Sequence, residues 1–137
     1  SSSTNVGKCV SMLFVADAAI GTGRVVKIVE SGGEARVNVV LPLDADSSGV
    51  VGVTMSSTSA AGQDISVCVG GVFNACVANG GAVSIGDTIE VTDIVGQNGK
   101  VWAGTGQGVF GVALTAGTGN ILGTVFVRGI YVKNEVF

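Results

Sequence analysis

Apolar and polar residues alternate over short stretches along much of the chain. The alternation is clearest at residues 35–39, 64–69 and 88–92, and a period of two is typical of a β-strand with one buried face. Glycine-rich runs at residues 31–34 and 97–99 lie between apolar stretches and predict hairpin turns, because Asn-Gly and Gly-Gly accept positive φ angles. The pattern predicts about ten short strands and no helix.

These strands predict an all-β fold, either a small β-barrel or a sandwich-like barrel. Gly70, Gly71 and Gly129 fall inside apolar runs, where glycine commonly marks a bulge or a bend at a barrel corner. Residues 1–18 differ from the rest and predict an extended N-terminal arm, followed by a single barrel domain at residues 19–137. The arm has two interpretations: a tether that becomes ordered on binding, or an ordinary edge strand.

Segments in the first half of the chain resemble segments in the second half, which indicates a duplication. The matching segments are residues 49–55 (GVVGVTM) with 108–114 (GVFGVAL), 66–72 (SVCVGGV) with 124–130 (TVFVRGI), 25–28 with 88–91, and 19–21 with 84–86. The spacing predicts two tandem pseudo-repeats, at about residues 19–73 and 84–131.

Composition narrows the function. The 137 residues include 7 Lys plus Arg, 10 Asp plus Glu and no His, and the net charge is −3. A hydrophobic fraction of 47% excludes a disordered chain, and 23 glycines argue against a helical bundle. The negative charge makes nucleic acid an unexpected partner. Without His there is no Ser-His-Asp triad and no His metal site, so we expect neither an enzyme nor a cofactor.

The low charge also predicts an assembly. Charged residues make up 12% of the chain, against roughly 25% in an ordinary soluble domain. Surfaces that bury themselves against other subunits have this apolar character. We therefore expect much of the surface to contact other chains.

The apolar segment 9–20 predicts no membrane span, because it is too short and Asp17 interrupts it. The three cysteines, Cys9, Cys68 and Cys76, cannot all pair within one chain. We expect them to be reduced and mostly buried, as in a protein made in a cytosol.

Several motifs suggest chemistry only weakly. Asp44, Asp46 and Ser48 have the spacing of the first half of a calcium loop, but Met55 stands where the bidentate Glu would be required. They remain weak metal candidates beside the simpler interpretation of a solvated turn. The glycine runs 104–108 and 117–119 lead into strands rather than helices, which disfavours a phosphate loop.

Three carboxylates, Asp87, Glu90 and Asp93, fall in or beside one predicted strand. Successive side chains of a strand point to opposite faces, so these residues do not form an acid–base pair. We expect them to mark a solvated sheet edge that discourages pairing with other molecules.

Contact residues are predicted at the two ends of the chain. Met12, Leu13, Phe14 and Val15 form an apolar tetrad in the arm, and Phe137 ends the chain. Five aromatic residues lie in or after the second pseudo-repeat, where core packing and a subunit interface are equally good explanations: Trp102, Phe110, Phe126, Tyr131 and Phe137. If the tetrad is a tether, Phe14→Asp should weaken binding and leave the barrel folded.

The second pseudo-repeat carries a resemblance to a known family. Residues 85–91 (IGDTIEV), 96–102 (GQNGKVW), 108–114 (GVFGVAL) and 123–129 (GTVFVRG) resemble the small head-decoration, or cement, proteins of tailed bacteriophages. The first unit departs from the pattern, since Gly23-Arg24 replaces Gly-Asp and Val53-Thr54-Met55 replaces Val-Ala-Leu.

The resemblance implies a non-enzymatic structural virion protein. It implies a β-barrel, commonly a homotrimer, on the outer surface of an icosahedral head, made in the host cytoplasm during assembly. The implied partner is the major capsid protein, whose neighbouring copies it bridges to stabilise the expanded shell. Another virion β-module, from a tail, a fibre or a receptor binder, is the alternative, and a small ligand-binding barrel is a more distant one.

Overall fold

A computed structural model describes residues 9–42, 50–104, 109–119 and 122–127. These ranges hold eleven strands and no α-helix. The strands are β1 (Cys9–Val15), β2 (Val25–Ser31), β3 (Glu34–Val39), β4 (Val50–Thr54), β5 (Asp64–Cys76), β6 (Ala82–Val83), β7 (Thr88–Val91), β8 (Val101–Ala103), β9 (Val109–Ala113), β10 (Gly117–Thr118) and β11 (Leu122–Val127). No helix in this part of the chain is long and apolar enough to cross a membrane.

Nine of the strands form one antiparallel sheet, which confirms the all-β prediction. Eight of them follow the order β3-β2-β4-β5-β11-β9-β7-β8, and β1 pairs with β5 beside this path. The remaining two strands, β6 and β10, pair with each other. The path is open: no ladder between described residues joins β3 to β8.

The strand β5 is central to this sheet. It has 13 residues and forms ladders with β1, β4 and β11. Its ladder with β1 ends at Gly71, and its ladder with β11 begins at the same residue. The register with β1 shifts between Val10 and Ser11, opposite Gly70, and Gly71 has a φ of 106°. The predicted irregularity at Gly70 and Gly71 is therefore confirmed, while Gly129 lies outside the described residues.

The pairings on the two sides of β5 have similar registers. The β2–β4 ladder pairs Val26 with Gly52 and shifts register after Val26. The β7–β9 ladder pairs Ile89 with Gly111 and shifts register after Ile89. In both ladders the irregularity falls at the second residue of the matching segments 25–28 and 88–91.

Two isolated parallel bridges, one in each half of the chain, also have similar surroundings. Ala16, just after β1, bridges Val37 of β3, and Val77, just after β5, bridges Val101 of β8. In each case the amide of the following residue donates to the bridged strand: Asp17 N to Val37 O at 2.9 Å, and Ala78 N to Val101 O at 2.8 Å. Each bridge joins two strands that no ladder connects.

The core divides into two clusters made almost entirely of valine, isoleucine and alanine. One consists of Ala16, Ile20, Val26, Val37, Ile65, Val67 and Val69. The other consists of Val25, Val40, Val53, Ala75, Val77, Val83, Ile89, Val91, Val101 and Ala113. Adjacent residues Val25 and Val26 are both fully buried and belong to different clusters, so the start of β2 is covered on both faces.

The connection between β7 and β8 links the two halves of the chain. Gly99, with a φ of 70°, donates to Val40 O at 2.9 Å and accepts from Val25 N at 2.8 Å. The predicted turn at 97–99 is present, but it closes the connection 92–100 rather than a two-residue hairpin loop. The physical reason is that the backbone of Gly99 bonds to the first half of the chain, while the amide of Lys100 donates to Gln97 O at 3.2 Å within the turn. The glycine turn at 31–34 joins β2 to β3 as predicted.

The closest backbone approach in the sheet occurs at Gly52. A Cβ placed there would lie 1.9 Å from the carbonyl oxygen of Cys68. A side chain at this position therefore forces β4 away from β5. At Gly21, by contrast, the nearest atom to a new Cβ is the end of the flexible Arg24 side chain, at 3.6 Å.

We predict that Gly52→Ala destabilises the fold by about 3 kcal/mol or more, because backbone must move to relieve the clash. Gly21→Ala, the matched control, should change stability by less than about 0.5 kcal/mol. Urea denaturation followed by circular dichroism measures both. Equal stabilities for the two variants would contradict the close packing of β4 on β5.

Candidate functional site

The predicted contact tetrad lies in β1. Residues 9–15 pair with β5 from Gly71 to Asp64, so this part of the predicted arm is a strand of the sheet. Among the described residues, β5 is the only strand that forms a ladder with β1. Ala16, just after β1, forms the isolated bridge to Val37. Residues 1–8 lie outside that part. Of the two interpretations of the arm, strand pairing applies to residues 9–15.

The first half of β1 exposes apolar side chains on both faces. Val10 is 65% exposed, Met12 51% and Leu13 65%. Met12 lies opposite Val67 and Leu13 opposite Ser66, so the two side chains leave opposite faces of the ladder. No charged residue interrupts β1, although charge on an exposed strand commonly prevents association. This strand is the clearest unprotected apolar surface in the described residues.

The last residues of β1, Phe14 and Val15, are half-buried instead of exposed. Phe14 is half-buried and packs against the cluster that contains Ala16 and Ile65. Val15 is also half-buried. The expectation that Phe14→Asp leaves the fold intact stays a prediction, and the contact of Phe14 with the core argues against it, because an aspartate would lie against the apolar cluster. Met12 and Leu13 remain the accessible members of the tetrad, and Phe137 lies outside the described residues.

The weak metal candidates Asp44, Asp46 and Ser48 also lie outside the described residues. Within the ranges that the structure covers, no group of three or more His, Cys, Asp or Glu side chains could hold a metal ion. The glycine run 117–119 itself contributes the short strand β10, and the next described element is β11, which confirms that this run does not open a helix.

Two of the three carboxylates near β7, Asp87 and Glu90, accept local hydrogen bonds. Asp87 accepts a hydrogen bond from the amide of Ser84 at 2.8 Å, and Glu90 accepts one from the indole of Trp102 at 3.0 Å. The predicted role as a sheet edge is wrong, because β7 lies between β8 and β9. The Glu90–Trp102 contact crosses the β7–β8 ladder, in which these residues are direct partners. Only a correct strand register could have revealed it.

The thiols are all free, as predicted. Cys68 and Cys76 are buried and Cys9 is half-buried. The Cys9 thiol lies 3.6 Å from the Met55 sulfur, and it also reaches the thiol of Cys68. Sequence analysis missed this group, because the three residues are distant in sequence and meet only through the pairing of β1, β5 and β4.

Comparisons with known proteins show the fold. No protein-family model matches the chain, and no curated protein matches it significantly in sequence. Several solved structures do match. One is the N base of head fiber gp8.5 of bacteriophage phi29, with a TM-score of 0.63 over 91% of this chain and 98% of that chain. The sequences are 13% identical, so this similarity demonstrates a shared architecture.

The buried thiol of Cys68 predicts a pH dependence of stability. Burial raises the pKa of Cys68 from 9.0 to about 12, and the neighbouring Cys9 thiol contributes to the rise. Because the folded pKa is raised, this contribution is fully present below pH 9 and is lost between pH 9 and 12. The expected slope there is up to about 1.4 kcal/mol per pH unit.

Cys68→Ala is the matched variant. The difference in free energy of unfolding between wild type and variant should be constant below pH 9 and should shrink above it. Denaturation curves at several pH values measure that difference. A difference that stays constant up to pH 11 would contradict the assigned burial of the thiol.

Proposed function

We propose that this chain is a structural protein of a tailed-bacteriophage head, attached to the outer surface of the shell. The observation that carries the proposal is the fold shared with the phi29 head fiber base over nearly the full length of both chains. The sequence resemblance to head-decoration proteins points to the same place in the virion.

Strand β1 is the proposed contact with the shell or with a neighbouring subunit. Its exposed residues Val10, Met12 and Leu13 give an apolar surface, and its backbone pairs with β5 on one side. Apolar side chains that a strand leaves exposed can pack against another chain, because that contact removes apolar surface from water.

The low charge supports extensive contact. The chain has 7 basic and 10 acidic residues, which make 17 charged side chains among 137 residues. Uncharged polar groups and apolar groups therefore cover large areas of the surface. Such a surface suits a protein that is permanently bound in an assembly. We propose a homotrimer with the major capsid protein as its partner.

We further infer that the chain consists of two pseudo-repeats, each closed into a small barrel, with β5 shared between them. The matching register shifts of the β2–β4 and β7–β9 ladders support this inference. The two parallel bridges, at Ala16–Val37 and Val77–Val101, support closure because each lies where one barrel would be completed. Two similar lobes would offer two similar contact surfaces.

A cement mechanism follows from such a two-lobed chain. A protein that binds the expanded shell and not its dissociated subunits stabilises the shell by mass action. When one molecule bridges neighbouring capsid proteins, separating them requires both contacts to break, and many copies add avidity. No catalytic step is required of any residue.

The alternative role is the base of a head fibre. The similarity to the phi29 fiber base favours it specifically. A base would attach to the head in the same way but would serve to hold another structure. The two roles differ in one property: a cement protein raises the stability of the shell, whereas a fibre base need only bind to it.

Sedimentation with purified heads tests the proposal. The chain is expected to be a discrete trimer that co-sediments with expanded heads and not with unexpanded ones. A rise in the temperature at which heads release DNA would favour the cement role, and binding without that rise would favour the fibre base. A monomer that binds neither form of the head would overturn the proposal.

Leu13→Asp is expected to weaken head binding at least about tenfold, because it places a charge in the proposed apolar contact. Its stability should change by less than about 1 kcal/mol, since the side chain is exposed. Val95→Asp is the control, because Val95 is 85% exposed and lies outside β1. Equal binding by the two variants would exclude β1 as the contact strand.

A further inference from the structure

Three sulfur atoms from distant parts of the sequence meet on one face of the sheet. Cys9 begins β1, Cys68 lies in β5, and Met55 directly follows β4. The Cys9 thiol donates to the Met55 thioether at 3.6 Å and lies within hydrogen-bonding range of the Cys68 thiol. Cys9 therefore stands between the other two sulfurs.

The strand registers explain why the side chains share a face. Cys68 lies directly opposite Ser11 of β1 and opposite Val53 of β4. Cys9 is two residues before Ser11, and Met55 is two residues after Val53, so each points to the same side as Cys68. The amide of Met55 donates to Ser66 O at 2.8 Å, which holds the end of β4 against β5.

The spacing of the sulfurs suits a bound ion. Both cysteines are free thiols, and the β1–β5 ladder shifts register between Cys9 and Cys68, just after Val10. Two sulfurs that each bind a common ion at about 2.3 Å, with tetrahedral angles, lie about 3.8 Å apart. The Cys9–Met55 separation of 3.6 Å is close to that value.

We propose that Cys9, Cys68 and Met55 form a binding site for one soft, thiophilic metal ion of the copper(I) class. Two thiolates and a thioether are the ligands that select such an ion over magnesium, calcium or manganese. The site is independent of the proposed attachment to a phage head. One sulfur comes from β1, one from β5 and one from the residue that directly follows β4.

Binding releases protons. The copper(I) ion forms bonds to the sulfurs of Cys9 and Cys68, the two S–H bonds break, and two protons leave to solvent; no electron is transferred.

The site also predicts mechanical consequences for β1. A metal ion bound to Cys9 and Cys68 ties the first residue of β1 to the middle of β5. Binding to the folded chain stabilises it in proportion to the logarithm of the ion concentration over its dissociation constant. Copper(I) should therefore raise the melting temperature of the wild-type chain.

Anaerobic titration of the reduced full chain with copper(I), in competition with bicinchoninate, tests the proposal. We expect one high-affinity ion per chain. Cys9→Ser and Cys68→Ala should each weaken binding at least about 100-fold, and Met55→Leu about tenfold. Cys76→Ala is the matched control and should bind as wild type, because the Cys76 thiol is buried and contacts the carbonyl oxygen of Val77 instead.

Circular dichroism and melting curves establish that each variant folds. Cys9→Ser and Met55→Leu keep the test decisive if Cys68→Ala unfolds, because both residues are only half-buried. Absence of binding in competition with the chelator would overturn the proposal. The proposal would also be overturned if Cys76→Ala weakened copper(I) binding as much as Cys9→Ser does, or if Cys9→Ser bound copper(I) as tightly as wild type.

Discussion

The fold depends on one strand. Strand β5 pairs with β1 and β4 along its first part and with β11 along its second, so it belongs to both halves of the chain. Gly71 lies where the two sets of ladders meet, with a positive φ that residues other than glycine rarely adopt. The described strands are short apart from β5, and no helix covers the sheet in these ranges. Main-chain pairing to this strand therefore carries the architecture.

Main-chain pairing to β5 also determines which surfaces are available for contact with other molecules. Because β5 holds β1 along its length, the exposed residues of β1 are presented by a regular strand. The backbone of Gly99 bonds to Val25 and Val40 and so joins the second half of the chain to the first, beside the buried start of β2. The apolar composition is thus divided between two valine-rich clusters inside and an unprotected strand outside.

Sequence analysis predicted what depends on local pattern and missed what depends on register. Alternation at residues 64–69 and 88–92 identified β5 and β7, because a half-buried strand imposes a period of two. It did not identify the partners of β7, so Glu90 was assigned to an edge and not to Trp102 of β8. Hydrophobicity alone groups Phe14 with Leu13, but Phe14 packs against the core, whereas Leu13 is 65% exposed.

The sulfur group illustrates the same limit. Cys9 and Met55 are 46 residues apart, and their contact depends on the ladders of β1 and β4 with the same central strand. The predicted motif at Asp44, by contrast, depends on spacing within one loop. Chemistry built across strands becomes visible only when the order of the strands is known.

The central claim is that this chain attaches to a phage head through β1. An electron cryomicroscopy reconstruction of heads carrying the bound protein tests it most directly. The account predicts density for the chain on the outer surface of the shell, with Val10, Met12 and Leu13 in contact with a capsid or neighbouring subunit. A reconstruction in which β1 faces solvent, or in which no density for the chain is present, would contradict it.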